Sequence, residues 1–152
     1  MDPLELERTF SIAVRREIEA YEFYGDVAGR MKDPSVRDIF ARLAKEEMGH
    51  IELLEGFKCD PSLIMKFEAP RQDFKVAEAT ELPSLSIEMK PADALALAMK
   101  KEQQAVELYR SLAAASTDTG LKSIFENLAG MELGHKQRLE SLFIDIGYPE
   151  SF

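Results

Sequence analysis

The chain has 152 residues, 45% of them apolar, and its 28 acidic against 19 basic residues give a formal net charge of −9. This length suits a single domain over residues 1–152, and the single cysteine excludes an intramolecular disulfide and a Cys-x-x-Cys metal site. The negative charge argues against a nucleic-acid partner; with no signal peptide and no apolar run long enough for a membrane, we expect a cytoplasmic protein.

Residues 4–58 predict a first helical hairpin. Within 10–31 and again within 36–57, inward-facing positions recur at alternating spacings of four and three residues, as on a bundle helix. Between these stripes, Asp33 is placed to cap the second helix, and Pro34 fits its first turn. The short break between the helices predicts that they are antiparallel neighbours.

Residues 59–90 predict a long connection. Pro61, Pro70 and Pro83 prevent this stretch from forming one helix. About 30 residues are enough to cross the length of a bundle, as in bundles with one long crossover. The segment SLIMKF (62–67) is compatible with either a short helix or a strand.

Residues 91–147 predict a second hairpin that repeats the first. At an offset of 85 residues, 10–56 align with 95–141, and sixteen of the 47 pairs are identical. Chance would give about three. Asp118 stands where Asp33 stands in the first hairpin. The prediction is therefore an all-α fold, an antiparallel four-helix bundle built from two duplicated hairpins.

Two pairs of basic residues lie beside the inward-facing stripes. Arg15 with Arg16, and Lys100 with Lys101, fall outside the inward-facing stripes. On a bundle helix such positions usually face water. We therefore expect all four side chains to be solvated.

Six polar residues occupy inward-facing positions where apolar residues would be expected. They are Glu17, Glu47, His50, Glu102, Glu132 and His135. Four buried carboxylates would cost several kcal/mol per ion unless their charge is compensated. Two divalent cations would compensate it, with the imidazoles completing the coordination. The alternative is a structural polar cluster that binds one metal ion or none.

The spacings place these residues at one height in the bundle. Glu17 lies 16 residues before Asp33, and Glu47 and His50 lie 14 and 17 residues after it. At 1.5 Å per residue, each is about 21 to 26 Å from the turn, and the second hairpin has the same spacings around Asp118. One Glu from each of two helices and Glu-x-x-His from each of the other two is the ligand pattern of di-metal carboxylate bundles.

The ligand types narrow the choice of metal. Carboxylate and imidazole select against Cu(I) and are compatible with Fe, Mn or Zn. We expect Glu47 and Glu132 to bridge the two ions. The remaining ligands then complete one ion each, Glu17 with His50 and Glu102 with His135.

Tyr24 and Tyr109 follow Glu17 and Glu102 by seven residues and lie on nearly the same helix faces. Their hydroxyls are placed to donate hydrogen bonds to ligand carboxylates. The alternative is that two large aromatic side chains simply fill the core. The spacing favours neither interpretation.

The motifs EIEAYEFY (17–24) and LAKEEMGH (43–50), with KEQQAVELY (101–109) and LAGMELGH (128–135), are the residues that carry a family resemblance. The chain resembles the rubrerythrin branch of the ferritin-like superfamily. The resemblance implies a non-haem di-iron centre, often in a homodimer. It also implies reaction of Fe(II) with hydrogen peroxide or dioxygen, as a peroxidase, oxidase or ferroxidase.

Two features differ from that family pattern. Full rubrerythrins carry a rubredoxin domain with four cysteines, which this sequence lacks, so we expect a separate electron donor such as a rubredoxin. They also carry an additional glutamate one turn past the third-helix ligand, where this sequence has Ala105. A di-iron redox protein is the leading hypothesis. A ferroxidase for iron handling or storage, an oxygenase acting on an organic substrate, and a metal-stabilised module without turnover are the alternatives.

Overall fold

The fold is a bundle of four long helices. The computed structural model describes residues 3–59, 75–79 and 90–147, in which no strand occurs. The helices are α1 (Pro3–Arg30), α2 (Pro34–Cys59), α3 (Val76–Ala79), α4 (Pro91–Ala115) and α5 (Thr119–Gly147). None of these helices is both long and apolar enough to cross a membrane. The predicted all-α four-helix bundle is confirmed, whereas the SLIMKF segment lies outside the described residues.

Aspartates cap the second helix of each hairpin. The Asp33 Oδ1 atom accepts a hydrogen bond from the Ser35 N–H at 2.9 Å, and the Asp118 Oδ1 atom accepts one from the Leu121 N–H at 3.1 Å. Each bond satisfies an amide that the first helical turn leaves without a partner. Pro34 opens α2, where its missing N–H removes no helical hydrogen bond.

The helices pack as two antiparallel hairpins. The main contacts join α1 to α2 and α4 to α5, and α1 also contacts α4. The end of α2 packs near Phe10, at the start of α1, whereas the start of α4 packs near Met31, at the end of α1. The end of α2 and the start of α4 therefore lie at opposite ends of the bundle.

The apolar core has two parts. The Tyr24 cluster includes Tyr24, Val27, Met31, Phe40, Leu95, Met99 and Leu139. The Tyr109 cluster includes Tyr109, Phe10, Phe57, Phe125, Leu121 and Leu128. Between them lies a layer of buried charged side chains. The two clusters exclude water from that layer on both sides along the bundle axis.

A second group of buried charges attaches α3 to the bundle. The Ala77 N–H donates to Glu140 Oε2 at 2.7 Å, and Lys136 Nζ lies 2.6 Å from Glu78 Oε1 and 3.6 Å from Glu140 Oε2. Lys136 and Glu140 are fully buried. Glu55, the residue equivalent to Glu140 in the first hairpin, is exposed. The sequence pattern did not identify this group, because its contacts with α3 depend on how the helices pack.

Candidate metal centre

The charged layer contains all six residues that the sequence singled out. Glu17 comes from α1, Glu47 and His50 from α2, Glu102 from α4, and Glu132 and His135 from α5. The four glutamates have no exposed surface, and the two histidines are also buried. Each hairpin contributes one lone glutamate and one Glu-x-x-His pair. The predicted equal heights therefore correspond to side chains that meet in space.

The six residues form two overlapping groups of four. One group joins Glu17, Glu47, His50 and Glu132, and the other joins Glu47, Glu102, Glu132 and His135. In each group the candidate ligand atoms all lie within 4.8 Å of one another. Glu47 and Glu132 belong to both groups. This sharing is the arrangement that two bridging carboxylates between two ions require.

The two histidines direct the same ring nitrogen into the layer. The His50 Nδ1 atom lies 2.9 Å from Glu132 Oε1, and the His135 Nδ1 atom lies 2.8 Å from Glu47 Oε1. The two rings are stacked, with centroids 5.3 Å apart and planes at 6°. Each histidine therefore faces the Glu-x-x-His glutamate of the opposite hairpin.

Several buried ligand atoms have no hydrogen-bond partner among the described residues. They are Glu47 Oε1, Glu102 Oε2, Glu132 Oε2 and His135 Nδ1. The contact between His135 and Glu47 is short but lacks hydrogen-bond alignment. Buried polar atoms without a hydrogen bond are rare and costly. The three carboxylate oxygens carry lone pairs that a hard or borderline divalent cation binds, and His135 Nδ1 offers one once it loses its proton. The donor set therefore fits a di-metal centre.

The tyrosine hydroxyls contact the two lone glutamates across the hairpins. Tyr24 donates to Glu102 Oε1, and Tyr109 donates to Glu17 Oε1 at 2.5 Å. Burial, together with the neighbouring negative charge, raises the pKa of both hydroxyls well above the ordinary value. Both therefore stay protonated donors. Their rings also belong to the two apolar clusters. Each tyrosine therefore both donates a hydrogen bond to a glutamate of the layer and fills the core.

Arg16 corrects one sequence prediction. Its side chain is only 13% exposed, and its Nη1 atom lies 2.8 Å from Glu47 Oε2, 3.1 Å from Glu132 Oε2 and 3.2 Å from Glu17 Oε2. The expectation that Arg16 is solvated was wrong, because its long side chain reaches from the edge of α1 into the negative layer. Arg15 is exposed as expected, whereas Lys101, the repeat equivalent of Arg16, lies over the Phe23 ring.

The pKa values of the layer's carboxyl groups shift in different directions. Burial, reinforced by the charges of Glu132 and Glu102, raises the pKa of Glu47 well above its ordinary range. The pKa of Glu102 rises to about 7, first through burial and then through Glu132. Burial also opposes ionisation of Glu132, but Arg16 and several hydrogen bonds hold its pKa well below the ordinary value. Without metal ions, the layer therefore contains both protonated and ionised carboxyls.

The histidines are protonated in the absence of metal ions. Burial opposes their charge, but hydrogen bonds to Glu132 and Glu17 outweigh it and raise the pKa of His50 to about 10. The pKa of His135 is raised well above its ordinary value by Glu102, Glu132 and Glu46 despite burial. Metal ligation requires neutral imidazole, so ions entering this site displace protons.

Two residues that the sequence pattern did not identify support His135 from outside. Glu46 Oε2 lies 3.1 Å from the outer nitrogen of His135, Nε2. Arg138 contacts both oxygens of Glu46, Nη1 with Oε1 at 3.1 Å and Nη2 with Oε2 at 2.5 Å. Burial opposes the charge on Glu46, but His135 and Arg138 lower its pKa to about 2. The only sequence indication was the neighbouring pair Glu46 and Glu47.

Comparison with known proteins agrees with this geometry. The Rubrerythrin family model matches residues 1–58 and 93–151, which include every member of the two groups of four. The chain is similar to a solved structure described as a hypothetical protein from Pyrococcus furiosus, with a TM-score of 0.66 and 26% identity. That similarity covers 97% of this chain and 93% of the other. No curated protein matches the chain.

Proposed function

The chain belongs to the Rubrerythrin family, and we propose that it is a non-haem di-iron redox protein that reacts with hydrogen peroxide or dioxygen. The observation that carries this proposal is the pair of buried ligand groups that share Glu47 and Glu132. Two divalent ions would neutralise the four carboxylates, which otherwise repel one another in a region of low dielectric constant.

The ligand assignment follows from membership of the two groups. Glu47 and Glu132 would bridge the two ions, because both groups contain them. Glu17 and His50 would complete the coordination of one ion. The α4 and α5 ligands, Glu102 and His135, would complete that of the other. Mn and Zn suit the same ligands, and iron is proposed because of the family.

Bound iron would supply redox chemistry, changing between the ferrous and ferric states, and a separate donor such as a rubredoxin would return the electrons. The protein provides a dry, shaped site, because apolar clusters cover the charged layer on both sides. Tyr24 and Tyr109 fix the lone glutamates through their hydroxyl protons. Ala105, buried one turn after Glu102, adds no further carboxylate.

A metal-free structural cluster is the second candidate, and Arg16 is the observation that favours it. The guanidinium already contacts three of the four glutamates, and it lies 3.6 Å from the fourth, Glu102. Protonated histidines add further positive charge. Such a cluster would hold the four helices in register without metal ions or turnover.

Anaerobic Fe(II) titration of the purified chain tests the proposal. We expect about two irons per chain, as two-metal sites require, and a ferric absorbance change when hydrogen peroxide or dioxygen is added separately. Many irons per chain would indicate storage instead. Two bound irons with no response to either oxidant would indicate a metal-stabilised module, and no bound iron would indicate the metal-free cluster.

Two single substitutions test the bridging ligands. Glu47→Ala and Glu132→Ala should each weaken both ions together, because each removes an oxygen ligand from both positions. Glu52→Ala, an exposed glutamate on the same helix as Glu47, is the control. Loss of one ion with the other unchanged would contradict bridging.

A further inference from the structure

The internal repeat allows the surroundings of the two histidines to be compared directly. His50 and His135 are equivalent residues in the two hairpins, and both direct Nδ1 into the charged layer. His135 has Glu46 at its outer nitrogen, 3.1 Å away. The repeat position equivalent to Glu46 is Met131. A thioether has no charge and accepts hydrogen bonds only weakly, so Met131 cannot do for His50 what Glu46 does for His135.

The residue that holds Glu46 in place also has no counterpart in the other hairpin. Arg138 contacts both oxygens of the Glu46 carboxylate, which fixes the carboxylate plane as well as its position. The repeat position equivalent to Arg138 is Leu53, which is 38% exposed. Both members of the pair are therefore replaced by apolar residues in the other half of the bundle.

The pair also connects the two hairpins. Glu46 lies on α2, next to the proposed bridging ligand Glu47, whereas Arg138 lies on α5, one turn after His135. A carboxylate on the outer nitrogen fixes which nitrogen carries the proton, orients the ring and makes the inner nitrogen a stronger ligand. These three effects of Glu46 act on His135, and therefore on the ion that His135 and Glu102 would bind.

We propose that Glu46 and Arg138 are positioning residues that make the two ion positions unequal, so that the ion bound by His135 and Glu102 is held more tightly and binds first. This inference rests on the proposed di-metal function. It adds that the duplicated sequence does not encode two equal sites.

The test is an anaerobic Co²⁺ titration of the full-length metal-free chain, followed by visible absorption and calorimetry. In the unmodified chain we expect two binding steps that differ by at least about tenfold in affinity. Glu46→Met, which introduces the residue of the other repeat, should weaken the tighter step by about 10- to 100-fold. Glu52→Met removes the same charge from an exposed position of α2 and should leave both steps unchanged.

Three further variants separate positioning from a structural role. Arg138→Met should weaken the tighter step, and Arg138→Lys, which keeps the charge but loses the two-point contact, should weaken it less. The double substitution Met131→Glu with Leu53→Arg transfers the pair to His50 and should tighten the weaker step. The melting temperature of each metal-free variant shows whether the fold has been disturbed.

The outcomes distinguish this inference from the function on which it rests. Two Co²⁺ ions bound with both steps unaffected by Glu46→Met would overturn the inference and leave the di-metal function standing. A loss of affinity of equal size in both binding steps would assign Glu46 a structural role, which also overturns it. No bound Co²⁺ would overturn both.

Discussion

Arg16→Met is the substitution that best separates the metal-free protein from the metal-loaded one. Arg16 Nη1 contacts Glu17, Glu47 and Glu132, the three glutamates that form the first ligand group with His50. A cation bound by that group would occupy the region that the guanidinium now fills. We therefore expect Arg16 to stabilise the metal-free protein and to compete with metal ions.

The loss of stability should be large, because Arg16 belongs to a buried ionic network. Removing one partner from a buried ionic network costs about 3–5 kcal/mol of the free energy of unfolding, because the remaining charges lose their compensation. For a chain of this length, that corresponds to a fall of roughly 10 °C in the metal-free melting temperature. If metal binding has to displace a contact of that size, the variant should bind its first ion roughly 150- to 4,000-fold more tightly.

The assay is thermal unfolding followed by circular dichroism, with and without added Mn²⁺, together with a Mn²⁺ titration. Arg15→Met is the matched control, because it removes the same charge from the neighbouring exposed position of α1. We expect Arg16→Met to lower the metal-free melting temperature and to increase the stabilisation by Mn²⁺. Behaviour identical to that of Arg15→Met in both measurements would refute the role given to Arg16.

Three further predictions concern pH, the tyrosines and the second buried charge group. His50 has a folded pKa of about 10 against an ordinary 6.5, and Glu102 has about 7 against 4.5, so both contribute stability at low pH that is lost as pH rises. The loss runs from pH 4.5 to 7 for Glu102 and from 6.5 to 10 for His50, so the metal-free protein should melt at a lower temperature at pH 9 than at pH 6. Tyr109→Phe removes the hydroxyl donor to Glu17 and should lower the free energy of unfolding by about 1–3 kcal/mol and metal affinity by about tenfold or more. Lys136→Met leaves buried acidic charge uncompensated and should cost about 3–5 kcal/mol, measured by urea unfolding.

Controls and opposing results for these three predictions are as follows. A metal-free melting temperature that rises between pH 6 and pH 9 would contradict the signs of the two pKa shifts. Tyr21→Phe alters a more exposed hydroxyl and should change neither quantity; an equal effect from both tyrosine variants would remove the special role of Tyr109. Lys122→Met is the exposed control on α5. Exchange of the Ala77 amide proton should accelerate in Lys136→Met alone, because that amide is held by Glu140.

The sequence predicted the fold and the central cluster because both depend on helix periodicity. Spacings of three and four residues fix which positions face inward, and the distances of Glu17 and Glu47 from the capped turn at Asp33 fix their height. Because of the 85-residue repeat, Glu102 and Glu132 have the same spacings from the turn at Asp118. No knowledge of side-chain conformation was needed for these steps.

Arg16 could not be placed in that way. Consecutive residues of a helix are about 100° apart, so a backbone pattern puts Arg16 outside the stripe that contains Glu17. The pattern does not include the reach of a long side chain toward opposite charge. The same limit applies to Glu46 and Arg138, whose contact depends on how α2 and α5 pack. Glu140 accepts a hydrogen bond from the Ala77 N–H of α3, and that packing has no periodic signature.

Anomalous diffraction at the iron edge, from crystals of the Fe(II)-loaded chain, shows whether the charged layer holds two ions. We expect two peaks about 3.5–4 Å apart, each about 2.0–2.2 Å from an oxygen of both Glu47 and Glu132. The Arg16 guanidinium should then have left the position between the carboxylates. A layer with no anomalous peak, in which Arg16 still contacts the glutamates, would rule out the di-iron centre and identify the cluster as a metal-free structural one.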